Sequence, residues 1–291
     1  ILTLGIFSLA APKKKKNKEY CIVFEWEDIN GEKNNVVFEF SGMACEVLST
    51  ESFNKLKKYK PITPSLRERL IVKWLEEIKI DAKSIYLLGD IFDFWFEYKH
   101  VVPKGFVRVL GKLAEIKDSG IPIYFFVGNH DLWMDDYFEQ ELGIPVYHRP
   151  KEFSFNHKTF LVGHGDGLGP GDKGYKRMKK VFTSPFFQWL FRWVHPDIGV
   201  RLAQHLSVKN KLISGEDDQN FLGEENEWLA AYAKRKLESA HYDYFIFGHR
   251  HLPMEIKVGP QSTYYNLGDW ITHYTYGVFD GNSFQLKEYS I

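Results

Sequence analysis

Four apolar runs of strand length in this chain each end in a glycine that is followed at once by a polar residue. The polar residues are Asp90, Asn129, His164 and His249, and His251 follows the last of them by two positions. In open α/β sheets the working site lies just beyond the carboxyl ends of the strands, and a glycine there lets the backbone turn closely. The pattern therefore predicts that these residues, far apart along the chain, meet at one site.

The residue types in the pattern are those that bind divalent metal ions. Carboxylate, amide and imidazole ligands together suit Mn²⁺, Fe²⁺ or Zn²⁺ better than metals that prefer thiolates. Two such ions about 3.5–4 Å apart can share a carboxylate and clamp a phosphoryl group during in-line displacement. We expect Asp90 to bridge two ions. Asn129, His164 and His249 would bind one of these ions and His251 the other.

Two residues that follow Asn129 fit a different role. We expect His130 to donate to the phosphate or leaving oxygen rather than to bind metal, and Asp131 to orient its imidazole. A single Gly-Asp or Gly-His after a strand is more often an ordinary turn. The prediction of a metal site therefore rests on the four occurrences taken together.

Composition excludes several classes of protein. Lys and Arg number 38, as do Asp and Glu, so a net charge of zero gives no electrostatic reason to expect a nucleic-acid partner. The hydrophobic content of 44% is ordinary for soluble globular proteins and excludes a disordered or fibrous chain. The two cysteines, Cys21 and Cys45, are too few for a disulfide framework, which fits a reducing cytoplasm.

The order of apolar patterns after residue 63 indicates the fold class. Runs of strand length alternate with segments in which apolar residues recur at helical spacing, which predicts a layered α/β fold with buried strands. The strand-like runs are 85–88, 121–127, 159–162 and 242–247, and the helical segments are 65–79, 106–116 and 224–239.

Residues 1–62 follow no such pattern. Segments 20–26 and 36–40 flank a turn that contains Asn30-Gly31, which predicts a β-hairpin. The apolar run 1–12 is shorter than the roughly 20 residues that span a bilayer, and its charges follow it, the reverse of a secretory signal. We interpret residues 1–62 as an unassigned segment with a truncated or artificial start.

An aromatic insert lies between the third and fourth blocks. Aromatic residues make up 16% of the chain, and Phe186, Leu190 and Trp193 would lie on one face of a helix that follows several lysines. Such a helix suits a lid over acyl chains or a membrane-surface anchor, and a helix buried in the core is the alternative. Its place in a long insert between ligand loops favours the lid.

The four blocks resemble four of the five sequence blocks of the calcineurin-like metallophosphoesterases. They read Gly89-Asp90-Ile91-Phe92-Asp93, Gly128-Asn129-His130-Asp131, Gly163-His164-Gly165-Asp166 and Gly248-His249-Arg250-His251. Within that superfamily, the chain from about Ser65 to Ile291 is most similar to the UDP-2,3-diacylglucosamine pyrophosphatases of lipid A synthesis. The similarity lies in segments 90–95 and 164–175 and in the aromatic insert.

The resemblance implies a fold and a set of substrate contacts. The fold would be a two-sheet β-sandwich flanked by helices, formed by residues 63–291 with a helical cap inserted at about 172–222. The implied substrate-binding residues are Asn129, His130, Asp172, Tyr175 and His249.

The resemblance also implies an activity and a location. The reaction would be hydrolysis of the diphosphate of UDP-2,3-diacylglucosamine to UMP and 2,3-diacylglucosamine 1-phosphate. It would use two divalent metals, with Mn²⁺ the first choice and Zn²⁺ or Fe²⁺ the alternatives. The cap would hold the acyl chains, and the enzyme would sit peripherally on the cytoplasmic face of the inner membrane of a Gram-negative bacterium.

One block of the resembled family is absent. That family begins with a strand ending in Asp-x-His, which supplies two ligands to the first metal, and no Asp-x-His precedes Ser65 here. The second metal site keeps all its ligands, whereas the first keeps only Asp90 and His251. The missing block leaves open a non-catalytic relative that binds lipid or nucleotide. A second alternative is another metallophosphoesterase that acts on a soluble phosphoester.

Overall fold

The computed structural model describes residues 19–27, 33–41, 44–47, 64–170, 173–201 and 221–290, and only the backbone in the first three of these ranges. The chain divides into two compact units, Ile1–Ile62 and Thr63–Ile291.

The first unit contains a three-stranded antiparallel sheet. Strands β1 (Glu19–Glu27), β2 (Lys33–Ser41) and β3 (Ala44–Val47) are hydrogen-bonded in that order. β1 and β2 pair antiparallel along their whole lengths, which confirms the predicted hairpin.

The second unit alternates helices with strands. Its helices are α1 (Pro64–Ile78), α2 (Val107–Asp118), α3 (Tyr137–Gln140), α4 (Lys173–Phe182), α5 (Pro185–Arg192) and α6 (Trp228–Leu237). The helix predicted over 224–239 is shorter because residues 223–227 form hydrogen-bonded turns, with the Asn226 and Glu227 amides both donating to the Gly223 carbonyl.

The strands of this unit form two main sheets and a hairpin. The strands are β4 (Ile85–Leu87), β5 (Ile123–Phe126), β6 (Val146–Tyr147), β7 (Lys151–Phe155), β8 (Lys158–Val162), β9 (Tyr244–Phe247), β10 (Pro253–Gly259), β11 (Ser262–Leu267), β12 (Thr275–Phe279) and β13 (Phe284–Glu288). One sheet has the order β4-β5-β6 and the other β10-β11-β9-β8-β7, while β12 pairs with β13.

The two main sheets pack face to face through aromatic side chains. Phe126 of the smaller sheet and Phe160, Ile246 and Tyr265 of the larger one belong to one buried cluster. The ring of Tyr86 lies 5.0 Å from that of Phe153, which joins β4 to the opposite sheet. Interdigitated side chains of two inner faces are the usual core of a β-sandwich.

The outer face of each sheet is also covered. On the larger sheet, Leu229 and Ala233 of α6 pack in a cluster with Phe245 and Ile256. On the smaller sheet, Phe125 points away from the sandwich and its ring lies 4.9 Å from that of Phe138 in α3. The fold is a two-sheet α/β sandwich flanked by helices, as predicted.

Strand direction explains where a site can form. β4 runs parallel to β5, and β8 runs parallel to β9. The segments that follow these four strands are those that carry the glycine-polar blocks. Since neighbouring parallel strands end at the same edge of a sheet, each sheet delivers two blocks to one edge.

The aromatic core gives a test of the sandwich. Phe160 is 3% exposed, and its ring lies 4.9 Å from both Tyr244 and Phe279. We expect Phe160→Ala to lower the free energy of unfolding by about 3–5 kcal/mol, because it removes apolar contacts and leaves a cavity. Chemical denaturation would measure this, with Phe186→Ala, at a position 61% exposed, as the matched control. Equal effects of the two substitutions would contradict the packing described.

Candidate metal centre

The four blocks converge as the sequence predicts. The Asn129 Oδ1 atom lies 3.1 Å from His164 Nε2 and 3.0 Å from His249 Nδ1. His164 Nε2 is also 3.4 Å from Asp90 Oδ2. Ligand atoms of Asp90, His164 and His249 all lie within 4.8 Å of one another, so one cation can reach all three.

These separations fit the geometry of a shared metal ion. Two ligand atoms that are each about 2.1 Å from one ion lie roughly 3.0–3.4 Å apart in octahedral or tetrahedral coordination. The Asp90 Oδ2 atom is buried and has no hydrogen-bond partner, which is costly for a carboxylate unless a cation meets it. The residues present therefore fit a divalent metal.

The hydrogen bonds of His164 fix which ring nitrogen can bind metal. Its Nδ1 lies 2.6 Å from the carbonyl oxygen of Leu88. Because a carbonyl oxygen only accepts, Nδ1 carries a proton, and Nε2, which faces Asp90 and Asn129, is the nitrogen that a metal can reach. A backbone carbonyl on the second nitrogen is a common way to set the tautomer of a ligating histidine.

The charge states at the site also suit metal binding. Burial would raise the pKa of Asp90, but the imidazoles of His164 and His130 and the amide of His130 outweigh it and hold this pKa below its ordinary value. Burial, with repulsion from His164, lowers the pKa of His249 to about 4. At His164, burial would lower the pKa of the imidazole, but the carboxylates of Asp90 and Asp166 outweigh it and raise this pKa. At neutral pH the site thus presents an anionic Asp90 carboxylate and a neutral His249 imidazole.

The backbone is strained at three of the predicted ligands. Asp90, His249 and His251 have φ values of 54°, 71° and 45°, in the left-handed region. Such a conformation costs a non-glycine residue about 1–3 kcal/mol and persists where surrounding structure imposes it. Glycine is needed before Asp90, since a Cβ at Gly89 would lie 2.6 Å from the Gly128 amide nitrogen.

His130 and Asp131 lie at the same edge. The His130 amide donates to Asp90 Oδ1 at 2.8 Å, and its ring Nδ1 is 3.2 Å from the Asp93 carbonyl oxygen. The buried Asp131 carboxylate accepts from the amides of Gly128 at 2.5 Å and Ile91 at 3.2 Å. Asp131 therefore joins the loops after β4 and β5, and its predicted role in orienting the His130 imidazole stays a prediction.

The structure adds a buried carboxylate that the sequence analysis missed. His251 Nδ1 lies 3.6 Å from Asp269 Oδ2, and His273 Nδ1 lies 3.5 Å from the other oxygen of Asp269. Asp269 follows β11 in the run Leu267-Gly268-Asp269, a fifth instance of the strand-glycine-polar pattern that could have revealed it. The binding of His251 to a second metal stays a prediction.

Helix α4 is joined to the loop that follows His164. The Tyr175 hydroxyl donates to Asp166 Oδ2 at 2.5 Å, and Lys179 Nζ lies 2.5 Å from the same oxygen. Lys176 Nζ donates to the Gly169 carbonyl at 2.6 Å. Two of the lysines before the aromatic segment are therefore bound inward. Substrate contact by Tyr175 stays a prediction, and Asp172 lies outside the described residues.

Helix α5 lies on the surface. One of its aromatic rings, Phe191, faces inward and lies 4.7 Å from both Phe96 and Trp133. The alternative of a helix buried in the core is wrong, because the other large apolar side chains here are exposed: Phe182, Phe186, Phe187, Trp189, Leu190 and Trp193.

In the part of the chain that the structure describes, no helix combines the length and the apolar character required to cross a membrane.

Comparison with curated proteins finds relatives named UDP-2,3-diacylglucosamine hydrolase. The UDP-2,3-diacylglucosamine hydrolase of Porphyromonas gingivalis is 39% identical over 237 residues, which cover 77% of this chain and 90% of the relative. The chain belongs to the UDP-2,3-diacylglucosamine hydrolase family. Two further hydrolases of this name, from Actinobacillus succinogenes and Photorhabdus laumondii, are 27% and 26% identical over 69% and 76% of the chain, and over 83% and 88% of their own lengths. No protein-family profile matches the chain.

The geometry gives a direct test of metal binding in this member of the hydrolase family. We expect His164→Gln to lower the affinity for Mn²⁺ by at least 10-fold, because it removes a buried imidazole ligand. Calorimetric titration of the metal-stripped protein would measure this. The matched control is His241→Gln, an exposed histidine that precedes β9 at the end opposite His249. Equal affinities in the two variants would rule out the site.

Proposed function

We propose that this protein hydrolyses the diphosphate of UDP-2,3-diacylglucosamine to UMP and 2,3-diacylglucosamine 1-phosphate, a step of lipid A biosynthesis. The observation that carries the proposal is the convergence of Asp90, Asn129, His164 and His249 in a chain of this hydrolase family. The reaction adds one water across the anhydride bond of the nucleotide lipid. The water oxygen joins the α-phosphorus, and the diphosphate bridge oxygen leaves with the sugar phosphate.

The cofactors in this proposal are two divalent metals. The mixed oxygen and nitrogen ligands suit Mn²⁺ first, and Zn²⁺ or Fe²⁺ as alternatives. When bound, the metals act as Lewis acids on phosphoryl oxygens and lower the pKa of water.

The chain's own residues hold and polarise the substrate. When its ring is protonated, His130 donates Nδ1–H to the Asp93 carbonyl and, in this proposal, Nε2–H to a phosphate or leaving oxygen. A positively charged donor aimed at developing negative charge stabilises the transition state more than the ground state. Asp131 keeps the loop of His130 in place through the Gly128 and Ile91 amides.

The exposed aromatic side chains of the predicted cap favour a lipid substrate and binding to a membrane surface. Trp193 is 76% exposed and Phe186 is 61% exposed, a large apolar area for a helix in water. Arg177 and Lys180 are exposed nearby and suit anionic headgroups. We place the protein peripherally on the cytoplasmic face of the inner membrane of a Gram-negative bacterium, with its cap holding the acyl chains.

Product analysis tests the activity. The full chain with Mn²⁺ and the nucleotide lipid in detergent should release UMP, and His130→Ala should lower kcat roughly 100–1000-fold through loss of a charge-stabilising donor. The control is His241→Gln, which should keep wild-type turnover.

Other outcomes separate the alternatives. Release of phosphate from a soluble ester, without UMP from the lipid, would assign a soluble substrate. If the protein bound one metal and the nucleotide lipid but showed no turnover, it would instead be a non-catalytic relative, as the missing Asp-x-His block suggests.

Vesicle binding tests the cap. Trp189→Ala with Trp193→Ala should reduce co-sedimentation with anionic phospholipid vesicles by at least 5-fold, because two exposed rings no longer enter the interface. The control is Ile80→Ala, which removes an apolar side chain that is 84% exposed after α1. Unchanged vesicle binding of the double variant would remove the cap as the membrane surface.

A further inference from the structure

The loop that carries His249 and His251 is held in an unfavourable conformation. The Arg250 amide donates to the Gly248 carbonyl at 2.9 Å across a three-residue turn centred on His249, whose φ is 71°. Three-residue turns with a positive φ at the centre are rare and strained. A metal ligand at such a position needs neighbouring contacts that keep the loop from relaxing.

The side chain between the two histidines makes such a contact. Arg250 Nε lies 3.1 Å from Glu227 Oε2, and Arg250 Nη2 lies 3.0 Å from Glu227 Oε1. The side chains are 1% and 0% exposed, so this ion pair is completely buried. A two-point pair between a guanidinium and a carboxylate fixes orientation as well as distance.

Glu227 is held from the other side by the turn that precedes α6. Its Oε1 also accepts from the Leu222 amide at 3.1 Å, and its own amide donates to the Gly223 carbonyl at 3.1 Å. The Arg250 guanidinium lies 5.7 Å from the centre of the Trp228 ring. The turn at 222–227 therefore forms a fixed support beneath the histidine loop.

We propose that Glu227 and Arg250 are positioning residues for the metal centre. The buried pair holds the His249 turn in its strained form, so that His249 Nδ1 stays near Asn129 Oδ1. It also connects His249 to the turn at 222–227, where the predicted cap insertion ends. The proposal rests on the metal centre of the proposed function and is independent of the substrate.

If Glu227 and Arg250 served only the stability of the core, replacing both of them would leave the metal affinity unchanged. Replacing a buried ion pair by apolar residues of similar size often leaves stability unchanged or raises it. Removing only one partner lowers stability, because it leaves a buried charge unpaired. The informative change is therefore the double variant Glu227→Leu with Arg250→Met. It keeps the core filled and removes the two-point contact.

Metal affinity is the measurement. With full-length, metal-stripped protein, the electron paramagnetic resonance signal of free Mn²⁺ gives the dissociation constant, and the melting temperature in EDTA reports folding. We expect the double variant to melt within a few degrees of the wild type and to bind Mn²⁺ roughly 10–100-fold more weakly. Arg250→Lys, which keeps the buried charges but loses the planar fork, should also bind Mn²⁺ more weakly.

The control is Lys158→Met, which removes an ion pair with Asp243 at the far end of the same sheet. It should leave Mn²⁺ affinity unchanged. Wild-type Mn²⁺ affinity in either folded Arg250 variant would overturn the proposal. Absence of UMP release by the wild-type protein would leave this comparison intact and would count only against the proposed substrate.

Discussion

The metal centre is built around one buried carboxylate, that of Asp90, which is surrounded by imidazoles. Asp90 Oδ2 has no hydrogen-bond partner, and Asp90 shares its surroundings with His164 and His249. Taking such a charge out of water is expensive unless an opposite charge meets it. The sandwich supplies that environment because two pairs of parallel strands end at its edge and each delivers a polar residue after a glycine.

Buried acidic side chains hold the backbone of the site through hydrogen bonds to its amides. Asp131 accepts amide protons from two loops, and Glu227 accepts one from the turn before α6. These contacts hold ligands whose left-handed backbones would otherwise relax. The residues with strained backbones and the side chains that hold them therefore lie at the same site, as is usual where a loop must direct a side chain to one point.

Helices α4 and α5 combine a polar attachment on one side with an exposed apolar surface on the other. On their inner side, Tyr175 and Lys179 converge on Asp166, and Phe191 packs on Phe96. On their outer side the large rings remain in contact with water. In the function we propose, this helix pair, fixed to the loop after His164, brings the acyl chains of the substrate and its diphosphate to one place.

The sequence by itself determined the fold class, the hairpin in 1–62 and the four blocks, because strand length and a following glycine are local properties. It also placed aromatic residues in one insert, but it could not separate a surface helix from a buried one. The partners of Asp166, Glu227 and Asp269 were decided only by tertiary structure. Arg250 meets Glu227 across 23 positions of chain, and a contact of that kind depends on how sheet and helix pack, which no local pattern encodes.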